Sequence, residues 1–126
     1  MKILPKPTDA ELEILQVLWE NGSCSVRFVN DILAEKKEVG YTTTLKFMQI
    51  MFEKGLVTRN TDARSHIYEA AIERDATQRN LLGTFVDNVF SGSAMDLVMQ
   101  ALGNHKASKD ELDQIKALIE KIEKES

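Results

Sequence analysis

A short polar run followed by a helical pattern is the part of this sequence best suited to chemistry. Residues 40–68 begin Gly-Tyr-Thr-Thr-Thr, continue through an apolar and basic segment to Gly55, and end in two strand-like runs. Short polar side chains at the start of a helix allow close approach to base edges, and basic side chains attract phosphate. The pattern therefore predicts a helix that enters the DNA major groove, followed by a β-wing.

The candidate DNA contacts lie on this helix and on the hairpin after it. Thr43 can place its methyl group against a thymine methyl or hydrogen-bond a base edge, and Lys46 can reach a guanine edge or a phosphate. Arg64, at the predicted wing tip, can contact phosphate or enter the minor groove. The predicted DNA-binding residues are Tyr41, Thr42, Thr43, Lys46, Lys54, Arg59 and Arg64. Taken alone, the pattern of the third helix fits a second interpretation equally well: a surface helix that is capped by threonines, with a hairpin beside it and no role in DNA binding.

The charge of the chain is distributed unevenly. The 126 residues carry a net charge of −4, but residues 36–64 hold six basic and three acidic side chains, a local charge of +3. Residues 71–126 hold seven basic and ten acidic side chains. Attraction to phosphate depends on charges near the duplex, so a local basic face suits a small DNA reader with modest non-specific binding.

Composition indicates a globular protein of the cytoplasm. Apolar residues make up 43% of the chain and charged residues 29%. No apolar run approaches the roughly 18 residues of a membrane span, and the N-terminus has no signal-peptide pattern. The single Cys24 cannot form an intrachain disulfide, which agrees with a reducing compartment. We therefore expect a cytoplasmic location.

Helix signals divide the chain. A capping box at Thr8-x-x-Glu11 predicts a first helix over Asp9–Glu20, and Ser25 is expected to cap a second. Thr42 or Thr43 is expected to cap the third, with Leu45, Met48, Met51 and Phe52 on its apolar side. Strands are predicted at Leu56–Asn60 and His66–Ala70. Three further helices follow, starting near Asp75, at Ser93 and at the capping box Ser108-x-x-Glu111.

This order predicts a mainly α fold with a small β-wing, in two domains. Residues 1–72 form a winged helix-turn-helix and residues 73–126 a three-helix domain. Three such helices bury little surface in one chain, whereas two copies together bury far more, so we predict a homodimer. The alternative is that they fold back on the first domain. The predicted dimer contacts are Phe85, Val89, Leu97, Val98, Leu112, Ile115, Ile119 and Ile122.

Motifs for metal binding or catalysis are missing from the sequence. Cys24, His66 and His105 are far apart along the chain, although a soft-metal site needs clustered ligands. There is also no glycine-rich phosphate loop, no nucleophile-base pair and no His-Glu metal motif. We expect no cofactor and no enzymatic activity.

Three blocks of sequence carry a family pattern. The first block is Thr8–Trp19. The second begins at Tyr41-Thr42-Thr43, includes Met48, Met51 and Lys54-Gly55-Leu56-Val57, and ends with Arg59, Arg64 and Tyr68. The third is Phe85–Ser93 together with Leu97-Val98. Together they resemble the penicillinase-repressor family of winged-helix regulators, which also holds methicillin-resistance and copper-homeostasis repressors. Two positions on the DNA-binding side depart from it, because Ile50 stands where relatives usually carry arginine and Ala63 where they carry glycine.

The resemblance implies a homodimeric repressor bound to palindromic operators in double-stranded DNA. In antibiotic-responsive members, a membrane sensor-protease detects β-lactams and triggers cleavage of the repressor, which implies the same partner here. The corresponding region holds Gln100 and Ala101 where those members have Asn-Phe. Two other functions stay open: a winged-helix module that binds a partner protein, and an architectural DNA binder without sequence preference.

Overall fold

The computed structural model describes residues 6–61, 66–104 and 106–126. Its helices are α1 (Asp9–Asn21), α2 (Val26–Ala34), α3 (Tyr41–Lys54), α4 (Arg74–Val89), α5 (Ala94–Asn104) and α6 (Lys109–Glu125). Its strands are β1 (Cys24–Ser25), β2 (Val57–Asn60) and β3 (Ile67–Ala70). The predicted fold class, mainly helical with a small β-wing, is confirmed.

Local sequence signals account for most helix ends. The capping boxes at Thr8/Glu11 and Ser108/Glu111 are both formed, with each side chain bonded to the backbone of the other residue. Ser25 caps α2 by accepting the Phe28 N–H. These predictions depended only on neighbours along the chain, and they are confirmed.

The start of α3 differs from the prediction. The helix begins at Tyr41 with Gly40 as its N-cap, so the expectation that Thr42 or Thr43 caps it is wrong. Gly40 has no side chain to offer, and no side-chain hydrogen bond caps the helix there. At the other end Gly55 adopts the left-handed conformation (φ 84°), and Leu56 N–H donates to Met51 O at 2.9 Å, which closes the helix and starts β2.

The three strands form an antiparallel sheet in the order β1-β3-β2. β3 pairs with β2 through Tyr68 and Arg59, and with β1 through Tyr68 and Cys24. The sequence did not predict β1, because a strand of two residues has no pattern of its own and exists only where a neighbouring strand supplies its partners. The predicted turn between the hairpin strands falls mainly on residues 62–65, which lie outside the described residues.

The chain divides into two compact units, Met1–Leu81 and Leu82–Ser126. Aliphatic and methionine side chains from the first three helices, together with the sheet, form the core of the first unit. Trp19 borders this core and donates its Nε1–H to Ile72 O at 3.0 Å. The core residues are Ile14, Leu15, Val17, Leu18, Cys24, Val26, Val29, Met48, Met51, Leu56, Val57 and Tyr68.

The second unit consists of the end of α4 with α5 and α6. None of its described residues is buried. The turn between α4 and α5 uses left-handed conformations at Ser91 (φ 50°) and Gly92 (φ 85°), and Phe85 and Phe90 meet edge to face at 5.7 Å. The two compact units divide after Leu81. The boundary between a DNA-binding domain and a helical domain at residue 72 stays a prediction. Across the described ranges no helix is both long enough and apolar enough to span a bilayer.

Candidate nucleic-acid interface

The first two turns of α3 present a row of polar and basic side chains to solvent. Thr42, Thr43 and Lys46 are exposed, and Gln49 continues the row one turn later. Lys46 has no ion-pair partner among the residues that the structure describes. The opposite side of the helix carries Met48 and Met51, both fully buried. The helix therefore has one side fixed in the core and one side available to a ligand.

Tyr41 and Arg27 extend this row onto α2. The Arg27 guanidinium carbon lies 4.9 Å from the centre of the Tyr41 ring, a cation–π distance. Both residues are exposed, and Arg27 is in the first turn of α2. Arg27 was not among the sequence-predicted contacts, because it lies outside the third helix and the hairpin. A basic residue in the first turn of the helix before a reading helix is the signal that could have found it.

Arg59 packs against α3. Its guanidinium carbon lies 4.2 Å from the centre of the Phe52 ring, and its Nε atom is enclosed without a hydrogen-bond partner in the described part of the chain. Phe52 was expected to face the core but is 38% exposed. Its ring instead provides the platform for Arg59, which lies on β2. This contact couples the wing strand to the second half of α3.

Lys54, at the end of α3, is paired with an acidic residue of α1. Its Nζ lies 2.7 Å from Glu11 Oε1, in a pair whose carboxylate is 3% exposed. Burial raises the pKa of Glu11, but hydrogen bonding and charge from Lys54 and hydrogen bonds at Thr8 outweigh it and lower the pKa overall. Lys54 was predicted to contact DNA. The structure pairs Lys54 with Glu11, which links α3 to α1. Its contact with DNA stays a prediction, and phosphate would have to compete with Glu11 for the ammonium group.

Two of the six basic residues in the 36–64 segment are paired with acids of α1. Besides Lys54, Lys37 lies 2.7 Å from Glu13 on the surface. Lys46 and Arg59 remain on or beside α3, and Arg27 joins them from α2. Arg64 and Ala63 lie outside the described residues. Among the described residues, Lys46, Arg59 and Arg27 are therefore cations on or beside α3 that form no ion pair with an acidic residue.

Thr44 and Asn30 are a polar pair that the sequence analysis missed. Thr44 is fully buried, and its hydroxyl lies 2.7 Å from the side-chain amide of Asn30, which is also buried. This threonine lies within the Thr-Thr-Thr run that was read as polar surface. Helical spacing is the signal that could have found it, because Thr44 lies four and seven residues before Met48 and Met51 and therefore on the same side of α3.

The described part of the chain holds no group of three or more metal-ligating side chains. Burial raises the pKa of the Cys24 thiol, whose Sγ donates to Gly22 O at 3.2 Å. Such a thiol is a poor nucleophile and a poor metal ligand at neutral pH.

The second unit exposes the predicted dimer residues. Six of the eight are exposed large apolar side chains, from Leu112 at 39% to Val89 at 58%, while Leu97 and Ile115 are half-buried. Met95, Met99 and Leu118 add to this apolar surface. Gln100 and Ala101, in the region that corresponds to the cleavage site of antibiotic-responsive members, are exposed and lie inside α5.

Comparison with known proteins gives a consistent result over nearly the whole chain. The family model of the penicillinase repressors matches residues 7–121 of this chain. The chain is 22% identical over 120 residues to the penicillinase repressor of Bacillus licheniformis, covering 95% of this chain and 94% of the relative. It is 26% identical over 128 residues to the transcriptional regulator BlaI of Mycobacterium tuberculosis, covering 98% and 89%.

Solved structures match about three fifths of the chain. The solution structure of the DNA-binding domain of the repressor BlaI aligns with a TM-score of 0.52 and 26% identity, over 59% of this chain and 90% of that domain. The solution structure of monomeric B. licheniformis BlaI in complex with the blaP half-operator aligns with a TM-score of 0.51 and 25% identity, over 60% of this chain and 92% of that one.

Proposed function

This chain belongs to the penicillinase repressor family, whose model matches residues 7–121, and from that membership we infer that it is a transcriptional repressor that binds DNA. The family consists of transcriptional repressors, which are not enzymes. The observation that carries this conclusion is the likeness of 60% of this chain to a repressor in complex with a half-operator.

The exposed row of α3 is the proposed base-reading surface. In a helix-turn-helix the second helix lies in the major groove with its first residues on base edges. Thr42, Thr43 and Lys46 are exposed in the first two turns of α3, while Met48 and Met51 fix the other side of that helix. Threonine reads thymine methyl groups or hydrogen-bonds base edges, and lysine reaches guanine. Tyr41 completes this surface at the helix start.

Arg27 is proposed as a contact to the DNA backbone. Its position over the Tyr41 ring restrains a long side chain near the start of α3. A guanidinium held in this way loses less conformational entropy on binding phosphate, which it can contact through two N–H groups at once. Arg59, which rests on Phe52, and Arg64 are proposed to supply similar contacts from the wing.

The second unit is proposed to form a homodimer. Its three helices leave large apolar side chains uncovered and have no buried residue of their own among those described. Apolar surface of this kind marks an interaction site, and a two-fold pair would cover the same face on both copies. Two linked reading units would then favour a palindromic operator through their effective concentration.

The regulated genes and the inducing signal are proposed from the relatives. The matched proteins include penicillinase repressors and a methicillin resistance regulatory protein, so genes of the response to β-lactams are the proposed targets. We further propose release by a membrane sensor-protease that cuts near Gln100 and Ala101. Because these residues lie inside α5, the helix would have to unwind locally before cleavage.

Selection of duplexes from a random-sequence library, followed by footprinting on the selected duplex, tests the function. We expect enrichment of a palindrome and protection of two half-sites about one helical turn apart or a multiple of that. Uniform coverage without enrichment would indicate an architectural binder. Failure to retain any duplex would favour a protein-interaction module, and either result would contradict the repressor.

A further inference from the structure

The start of α3 is held from outside the helix. Its N-cap is Gly40, which makes no side-chain capping hydrogen bond. A glycine N-cap leaves the first backbone N–H groups without the partner that serine, threonine or aspartate would give. The first turn of α3 therefore has no side-chain cap of its own, and a contact from another element can add to what holds it in place.

Asn30 of α2 provides such a contact. It is 9% exposed and meets the hydroxyl of Thr44, which is fully buried, at 2.7 Å. A buried amide has to satisfy both its oxygen and its nitrogen, and which atom faces inward follows from the hydrogen bonds around it.

The carbonyl groups before α3 favour the amide nitrogen on the inner side. In that orientation Asn30 Nδ2 lies 2.7 Å from Thr44 Oγ1, 3.1 Å from Gly40 O and 3.2 Å from Val39 O. The reverse orientation places the amide oxygen against these acceptors. Asn30 thereby bonds both the turn that enters α3 and the first turn of the helix itself.

We propose that Asn30, acting through Thr44 and the Val39-Gly40 turn, is the positioning residue that sets the first turn of α3 for DNA reading. The inference rests on the proposed function, since Thr42 and Thr43 are the reading residues that lie in this turn. Sequence preference depends on placing short side chains accurately on base edges, so a shift of the turn lowers preference more than it lowers general attraction to phosphate.

Matched substitutions separate positioning from stability. Thr44→Val keeps the shape and removes the hydroxyl, whereas Thr44→Ser keeps the hydroxyl. Asn30→Asp keeps the size of the side chain and can accept from the Thr44 hydroxyl, but it cannot donate to Thr44 Oγ1, Gly40 O or Val39 O. Ile14→Val, in the core part of α1 at 1% exposure, is the control for a loss of stability that leaves Asn30 and Thr44 unchanged.

Two probes are used with each full-length variant: a duplex selected by the wild-type chain from a random library, and an unrelated duplex of equal length. The expected result is that Thr44→Val and Asn30→Asp reduce the ratio of the two affinities by about tenfold, the size of one lost base contact. Thr44→Ser restores most of the ratio, and Ile14→Val leaves it unchanged while lowering stability.

An unchanged ratio in folded Thr44→Val and Asn30→Asp would overturn the proposal. If circular dichroism shows that either variant is unfolded, Asn30→Ser takes its place. The serine side chain is too short to bond the Val39-Gly40 turn, and the variant leaves Thr44 unchanged. If that variant is also unfolded, the pair serves stability alone and the positioning role is wrong. A wild-type chain that enriches no sequence would instead refute the proposed function.

Discussion

Lys54 Nζ lies 2.7 Å from Glu11 Oε1, and the same oxygen accepts the Thr8 backbone N–H at 2.8 Å. One carboxylate therefore closes the capping box of α1 and holds the last turn of α3. The glutamate side chain is 3% exposed and the lysine side chain 37%, so the carboxylate is shielded from solvent while the ammonium group is partly solvated. The helix proposed to read DNA is attached to the rest of its unit through an ionised group.

Stability of the first unit should fall in acid because of Glu11. Its pKa in the folded chain is below the ordinary value of 4.5, so its contribution is complete above that pH and is lost as pH falls through the folded value. Glu11→Gln should lower the free energy of unfolding at pH 7 by about 1–3 kcal/mol, with the difference shrinking below pH 4.5. Urea unfolding followed by circular dichroism from pH 3 to 7 measures this.

The surface pair Lys37–Glu13 supplies the control. It has the same 2.7 Å separation, but both side chains are about half exposed, so water screens the interaction. Glu13→Gln should change stability by less than about 0.5 kcal/mol at any pH in this range. Equal effects of Glu11→Gln and Glu13→Gln would show that burial of Glu11 adds nothing.

Arg27→Ala should weaken binding to all duplexes by a similar factor. A phosphate contact carries no sequence information, and its loss should lower the slope of log affinity against log salt by about one. Arg27→Lys should keep most of the slope. Titrations of two unrelated duplexes at several salt concentrations measure both quantities. A loss restricted to one duplex would mean that Arg27 contacts bases.

Lys46→Ala should lower sequence preference. A base contact contributes roughly 1–3 kcal/mol of discrimination, and Lys46 is exposed in the second turn of α3. Lys116→Ala, which removes the same charge from α6, is the matched control and should leave the preference unchanged. If both variants lose affinity equally on every duplex, Lys46 acts only through its charge.

Ile119→Asp should convert the dimer to a monomer. Ile119 is 50% exposed in the single chain, and a carboxylate there would be buried against the partner copy. Lys124→Asp introduces the same group five residues later, about 140° around α6, and should leave the dimer intact. Sedimentation velocity at micromolar concentration gives both masses. A dimer of undiminished stability in Ile119→Asp would place the interface elsewhere.

Exposure of cells to a β-lactam should shorten the chain if the proposed release by proteolysis operates. Immunoblotting before and after exposure would then show a fragment cut near Gln100 and Ala101, together with expression of the repressed genes. Proline or glycine at these two positions would disrupt α5 itself. Gln100→Glu tests the sequence requirement of cleavage and keeps a residue that favours the helix. An intact chain under conditions that relieve repression would exclude cleavage as the signal.

Features that depend on neighbours along the chain were predictable. Thr8 with Glu11, Ser108 with Glu111, Ser25 and Gly55 mark helix ends by their own chemistry, and each lies where the sequence placed it. The exposed side of α3 also followed from helical periodicity, which separates Thr43 and Lys46 from Met48 and Met51.

Features that depend on tertiary packing were not predictable. Gly40 and not a threonine is the N-cap of α3, and Thr44 is bonded to Asn30 of another helix. Lys54 looks like any basic residue near a DNA-reading helix until Glu11 is found opposite it. Phe52 looks internal by type, yet it carries Arg59 on its surface. In each case the deciding partner is at least seven residues away in the sequence.

The hydrogen bond from Trp19 Nε1 to Ile72 O gives the chain a built-in optical reporter. Trp19 is the only tryptophan, and both tyrosines, Tyr41 and Tyr68, lie in the same unit. Intrinsic fluorescence therefore records melting of the DNA-binding part alone, while residues 82–126 contribute no emission above that of phenylalanine. Far-ultraviolet dichroism, which sees the helices of both units, would then reveal by difference whether the two parts unfold together.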